Sequence, residues 1–341
     1  YASLLLIDVS RMEVRTGPSG PVFFAAFFGV LLSACAPMAT QAPNVDLARV
    51  HESGAWRIAF DPGSQRIASG GYRGKIKIGS AEDGNQLYVL EAHQQPVTGL
   101  GWLDERRVVS VDSSGWLVVN DIDARQAVAG AQFSAAIDMV IAPDRAWLLV
   151  INASGINKVS LPALELTAQY PFESPGSVAI SHSGERVAVS TSSGHVFLLD
   201  ADLQQRVELK RPSRKARDLV FSPDDKLLLA GGWFRLLVWQ LESDRLEEQA
   251  TEHLGKVNSV DISPDGARWV SLGRDTDSQL LLYDASSLQV ERRLQTHALC
   301  GQRARFSPNG RYVASSSDDG SVHIYDLHAP YQLTVPYFED Y

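Results

Sequence analysis

The chain has 341 residues, of which 31 are Lys or Arg and 40 Asp or Glu, for a formal charge of −9. Nucleic-acid binders usually present a strongly basic face, so this balance argues against nucleic acid as a partner. The two cysteines, Cys35 and Cys300, exclude a disulfide framework, and the charges of residues 1–34 cancel, so residues 35–341 carry the whole acidic excess.

In chain order, the first 45 residues read as an address and a tether. Residues 1–11 read as translation upstream of a start at Met12. Within residues 12–34, Arg15 precedes an apolar run from Pro21 to Leu32, and Ser33 and Ala34 lead into Cys35. A basic start, about a dozen apolar residues and a small-residue break make a secretory signal; the stretch is short of the ~20 residues that span a bilayer. The small residues before Cys35 resemble the processing box of bacterial lipoproteins, which implies cleavage before Cys35 and its lipidation. Ala36, where an Asp would mean retention, implies export to the outer membrane of a diderm bacterium, facing the periplasm. An ordinary signal cleaved near Ala34 or Ala36 stays open. Residues 35–45 form a Pro-containing tether whose extended reach is roughly 35 Å.

Residues 46–328 repeat. Seven times an apolar strand runs into a turn of the Ser-Pro-Asp-Gly type, at Phe60, Trp102, Ile141, Ile180, Phe221, Ile262 and Phe306, with spacings of 42, 39, 39, 41, 41 and 44 residues. That period matches a propeller blade of four strands. A second apolar run follows each turn, as at Arg66–Ser69, Lys226–Ala230 and Arg311–Ser315. After a Gly or Asp-Gly turn comes a third, as at Lys75–Ile78, Trp116–Val119, His195–Leu199, Leu236–Trp239, Gln279–Tyr283 and Ser321–Tyr325. Short β-branched and aromatic runs bounded by turn residues are strand signals, and continuous apolar runs suit strands covered on both faces. The expected fold is all-β: a seven-bladed β-propeller of four-stranded antiparallel blades. Asp46 to Val50 precede the first blade and are expected to supply the fourth strand of the seventh, closing the ring through the N-terminus; Tyr331 to Val335 is the competing strand. Residues 329–341 are read as a tail, acidic and aromatic at its end.

These repeats resemble the WD-repeat family of β-propellers over about residues 46 to 326. The family's Trp-Asp pair at the end of the third strand reads Asn120-Asp121, Trp239-Gln240, Tyr283-Asp284 and Tyr325-Asp326 here. The family's His before the first strand stands at His51, His93, His253 and His297, each nine residues ahead of its turn anchor. The resemblance implies a buried hydrogen-bonded network of His, Ser, Asp and Trp, which in the last blade maps to His297, Ser315, Asp319 and Tyr325. Recurrence of the His from blade to blade fits a structural network rather than a catalytic triad, because a buried polar group must be satisfied wherever it occurs.

No nucleophile elbow, phosphate loop, zinc motif or close Cys pair is present, so no catalytic residue, cofactor or metal is assigned. Three residues before the turn anchors stand Arg57, Gly99, Asp138, Ser177, Asp218, Ser259 and Arg303, a mixture expected to pair or be solvated rather than to hold a metal. What remains is a binding surface. One rim carries the fourth-to-first and second-to-third strand connections. There Trp233, Phe234 and Arg235 replace a polar turn, and Lys210, Arg211, Arg214, Lys215 and Arg217 form a dense basic cluster. Tyr72 and Arg73 occupy the matching turn of the first blade. Trp, Tyr and Arg dominate protein–protein hot spots. The expectation is a noncatalytic, lipid-anchored binding platform for protein partners at the bacterial envelope, touching the membrane only through its anchor, with the oligomeric state open. The alternatives are a propeller hydrolase or lactonase acting in the central channel, and a cytoplasmic scaffold with a spurious N-terminal extension.

Overall fold

The computed structural model describes residues 39–275 and 277–330 and the backbone of 333–334. Cys35, the signal segment and most of the acidic tail lie outside the described residues. Among the described residues there is no helix; strands fill seven antiparallel blades. The fifth blade is representative: Arg217–Phe221, Leu227–Gly231, Arg235–Gln240 and Arg245–Ala250 pair in that order from axis to rim.

Local chemistry makes each blade's first turn. In the fifth blade the Ser222 hydroxyl donates to Asp224 Oδ1 at 2.6 Å and accepts from the Leu227 amide at 2.9 Å, while Asp225 takes a φ of 58°. Ser263 with Asp265 and Ser307 with Asn309 repeat the arrangement, with Gly266 and Gly310 in the left-handed position. The recurring Ser-Pro-Asp-Gly turn is thus a device that reverses the chain and satisfies its own backbone donors.

Burial peaks in the middle strands of each blade, above that of the channel-lining strands such as Ala136–Ile141. Second strands such as Arg107–Asp112 and third strands such as Leu280–Asp284 are almost wholly buried, whereas the outer strand Gln126–Gln132 is largely exposed. Apolar side chains from adjoining blades form shared clusters, as where Leu149, Ile151 and Ile156 of the third blade meet Val178, Val187 and Val189 of the fourth. The innermost strands touch in an unbroken cycle, ending where Gly301–Phe306 meets Ala55–Phe60.

The N-terminal strand closes the ring. Val45–Leu47 pairs antiparallel with Val322–Asp326, matching Val45 to Ile324, Asp46 to His323 and Leu47 to Val322. The strand begins one residue earlier than expected and ends at Leu47, because Arg49 turns the chain with a φ of 57°. The competing segment goes elsewhere. Leu333–Thr334 pairs with Thr40–Gln41, which lies parallel to Val290–Leu294, so the sixth blade grows to six strands.

Candidate functional site: the channel mouth and upper rim

Four histidines anchor the blades. Nε2 of His51, His93, His253 and His297 lies 2.9, 2.7, 2.7 and 2.8 Å from the hydroxyls of Ser69, Ser110, Ser271 and Ser315. In the last blade His297 Nδ1 meets the Ser321 hydroxyl at 2.7 Å, and Ser321 donates to Asp319 Oδ1 at 2.5 Å, so the carboxylate reaches the ring through a serine. Tyr325 does not join Ser315. Its hydroxyl donates to the Gln295 carbonyl at 3.1 Å and lies 3.4 Å from His323, whose ring stacks on His297 at 4.1 Å. Burial pulls His51 down to about 4, with Lys77 adding to the effect, and pulls His297 down to about 3, with His323 adding to it. Both rings are neutral structural members at ordinary pH.

Each innermost strand carries a bulge near its start, and in six blades the register slips immediately before Arg57, Gly99, Asp138, Ser177, Ser259 or Arg303. A bulge re-aims a side chain. In the fifth blade the slip spans Asp218, whose φ is 47°. The charged members of this set converge. Arg303 bridges Asp138, at 3.0 Å, and Asp218; Arg57 lies 3.6 Å from Asp138. Arg305, two residues along the same strand, grips both oxygens of Asp218 at 2.9 Å. Ser259 donates to Asp218 at 2.5 Å and the Val260 amide at 3.0 Å. Burial alone would raise the Asp218 carboxyl; Arg303 and Arg305 hold it well below the ordinary range instead. Asp261 is lifted to about 6 by burial, and burial together with Arg303 pulls Arg57 down to about 9. Among the described residues no group of three His, Cys, Asp or Glu side chains converges as a metal site would require.

The channel also holds two charged residues outside the positions three before the turn anchors. Asp261 and Arg305 stand one before theirs, on the same face by the two-residue period of a strand, and that alternation was the signal available for finding them.

At the upper rim Trp233 and Phe234 are 45% and 44% exposed, with ring centroids 5.8 Å apart. Trp233 does not tuck beneath its own turn; it bridges to Lys256, whose ammonium lies 5.3 Å from the indole centroid. A cleft of about 240 Å³ is lined by Trp233, Gly232, Arg214, Lys215, Arg217 and Lys256. Lys215 and Arg217 also line the hollow at the channel mouth, about 450 Å³, together with Arg57, Arg274 and Arg303. The structure therefore brings Trp233, Arg214, Lys215 and Arg217 together and adds Lys256 and Arg274 from the sixth blade, which sequence spacing did not single out.

The other rim candidates lie apart. Lys210 is held through its backbone, its amide donating to Asp244 at 3.0 Å and its carbonyl accepting from Trp239 Nε1 at 2.8 Å. Arg211 donates to the Ser193 carbonyl at 2.8 Å, and Arg235 to the Glu248 carbonyl at 3.1 Å. Tyr72, on the first blade, packs edge-on against Trp56 at 5.2 Å, and Arg73 pairs with Glu52 at 3.5 Å.

Comparison with known proteins places this geometry. The family described as WD domain, G-beta repeat, matches residues 46–78 and 289–326. The small ribosomal subunit protein RACK1 of Neurospora crassa is 33% identical over 109 residues, covering 31% of this chain and 33% of the relative. MST50-interacting protein 11 of Pyricularia oryzae matches to the same extent, and Periodic tryptophan protein 2 of Saccharomyces cerevisiae is 28% identical over 124 residues, 36% of this chain and 13% of its own length. The chain thus spans about a third or less of the curated relatives it matches. The fold is a seven-bladed β-propeller, and its first and last blades are where the WD-type repeat model matches.

Proposed function

We propose that this protein is a noncatalytic, lipid-anchored platform that binds other proteins at the bacterial envelope, held by Cys35 at the outer membrane and facing the periplasm. The observation that carries the binding role is the upper rim between the fourth and sixth blades, where two exposed aromatic rings stand beside a basic loop. Such residues are the ones that dominate binding energy at protein interfaces. The noncatalytic reading draws support from the channel, where arginines occupy both oxygens of Asp218 and one of Asp138. One relative is named for its interaction with another protein, which is the same kind of role. Cross-linking in native membranes followed by peptide mapping tests the reading: cross-links concentrated at Trp233, Phe234 and the 210–217 loop, and lost in Trp233→Ala with Arg214→Glu, are expected. Cross-links that ignore those substitutions would remove the rim from the account. Labelling with radioactive palmitate, abolished by Cys35→Ser, tests the anchor; unlabelled, unprocessed wild-type protein would refute it, and a stoichiometric metal in the purified protein would favour a channel enzyme.

A further inference from the structure

We infer that the upper-rim groove between the fourth and sixth blades receives an acidic polypeptide segment that carries a bulky apolar side chain. The inference rests on the platform reading and gives its partner a chemistry.

Charge pairing is the first ground. Elsewhere on this rim cations have partners: Arg73 lies 3.5 Å from Glu52, Lys75 2.8 Å from Glu91, and Arg293 2.6 Å from Glu252. At the groove they do not. Among the described residues no side chain hydrogen-bonds or ion-pairs with Arg214, Lys215 or Arg217. Arg217 is half-buried, and burial, with Arg274 adding to it, pulls its guanidinium below the ordinary value even though Asp275 opposes the shift. Asp275 faces this cluster from the sixth blade, but it already holds Lys256 at 2.8 Å. In a chain of charge −9, an unneutralised basic patch attracts carboxylates while the rest of the surface repels them.

Rigidity is the second ground. The loop bearing Arg214 is pinned to the fifth blade, since Ser213 donates its amide and its hydroxyl to the two oxygens of Glu248 at 2.7 and 2.6 Å. Its buried Pro212 and the Lys210 contacts hold the other end. Little ordering is therefore left for a ligand to impose. The third ground is apolar: Trp233 and Phe234, with Leu254 70% exposed at the next connection, offer a seat for one large side chain beside the cations. Three unpaired cations next to an aromatic seat match a few carboxylates flanking such a residue. A nucleic-acid backbone is charged at every residue along its length, whereas this groove sets only a few cations beside its aromatic rings.

The probe is a fluorescein-labelled octapeptide, EDEFLDEE, titrated against the full chain in detergent and read by anisotropy. Binding weakened by added NaCl, and weakened about tenfold or more by Arg214→Glu with Lys215→Glu and again by Trp233→Ala, is expected, while Arg73→Glu across the ring leaves it unchanged. Each variant's melting curve must overlay that of the parent, and Arg217→Gln provides a second, milder lesion in the same place. Equal binding of a lysine-for-acid peptide or of an eight-nucleotide thymidine strand, or indifference to these substitutions, overturns the inference. If cross-linked proteins depend on Trp233 but the acidic probe does not bind, the platform stands and its acidic ligand falls; if the probe binds and no protein cross-links to the rim, the platform falls.

Discussion

Replacing Asp218 with Asn removes one charge from the centre of the ring and leaves the shape almost unchanged. Asp218 is 6% exposed and receives the Ser259 hydroxyl, the Val260 amide, both terminal nitrogens of Arg305 and one of Arg303. An amide in its place offers one oxygen to a set of donors and turns an NH₂ toward the others. Arg303 retains Asp138 at 3.0 Å, but Arg305 loses the carboxylate that holds both of its terminal nitrogens. Breaking a buried pair from one side costs about 3–5 kcal/mol. At roughly 2 °C per kcal/mol for a domain of this size, the melting temperature should fall by about 6–10 °C. The double variant Asp218→Asn with Arg305→Met removes both halves, so it should cost less than the sum of the single changes by about 1–3 kcal/mol. Calorimetry on the four proteins measures this. A single variant that melts with the parent, or strictly additive losses, would refute the view that this cluster ties the blades together.

His297→Ala should cost about 1–3 kcal/mol, because Ser315 and Ser321 both lose a buried partner; a normal melting temperature counts against a structural role. Acid should destabilise through the histidines. Unfolded His takes a proton near 6.5, whereas folded His51 waits until about 4, so stability present at neutral pH is lost as pH falls between those values, by about 1.4 kcal/mol per pH unit for each such ring. Asp261 acts in the opposite sense: its folded value of about 6 lies above the unfolded one, so its penalty is relieved as pH falls through 6. Asp261→Asn should therefore stabilise the protein at pH 7, by about 1–3 kcal/mol, and steepen its loss of stability toward pH 4 in urea titrations; destabilisation at pH 7 would contradict the assignment. Val45→Asp, placing a charge in the closing strand where Val45 is 7% exposed, should lower stability by more than about 2 kcal/mol. Deleting residues 329–341 removes, among the described residues, the outermost strand of the sixth blade and should leave the ring folded; unfolding after that deletion would reverse the roles of the two termini.

The blade count, the turns and the histidine–serine pairs were legible in the chain because each is written locally. Ser, Pro and Asp in sequence favour a turn through their own local hydrogen bonds, and the His297–Ser315 pair that the family resemblance implied lies within one blade. The direction of the Tyr325 hydroxyl was not, since it depends on His323 lying against both rings. Nor did residue order reveal that Leu333–Thr334 would pair with Thr40–Gln41. The channel and the groove depend on closure. Arg303 meets residues 165 and 85 positions away, and Lys256 and Arg274 reach the basic loop only because the sixth blade packs beside the fifth. Repetition specifies a blade from its own residues, but which side chains face one another across the axis is settled only when seven blades share one circle.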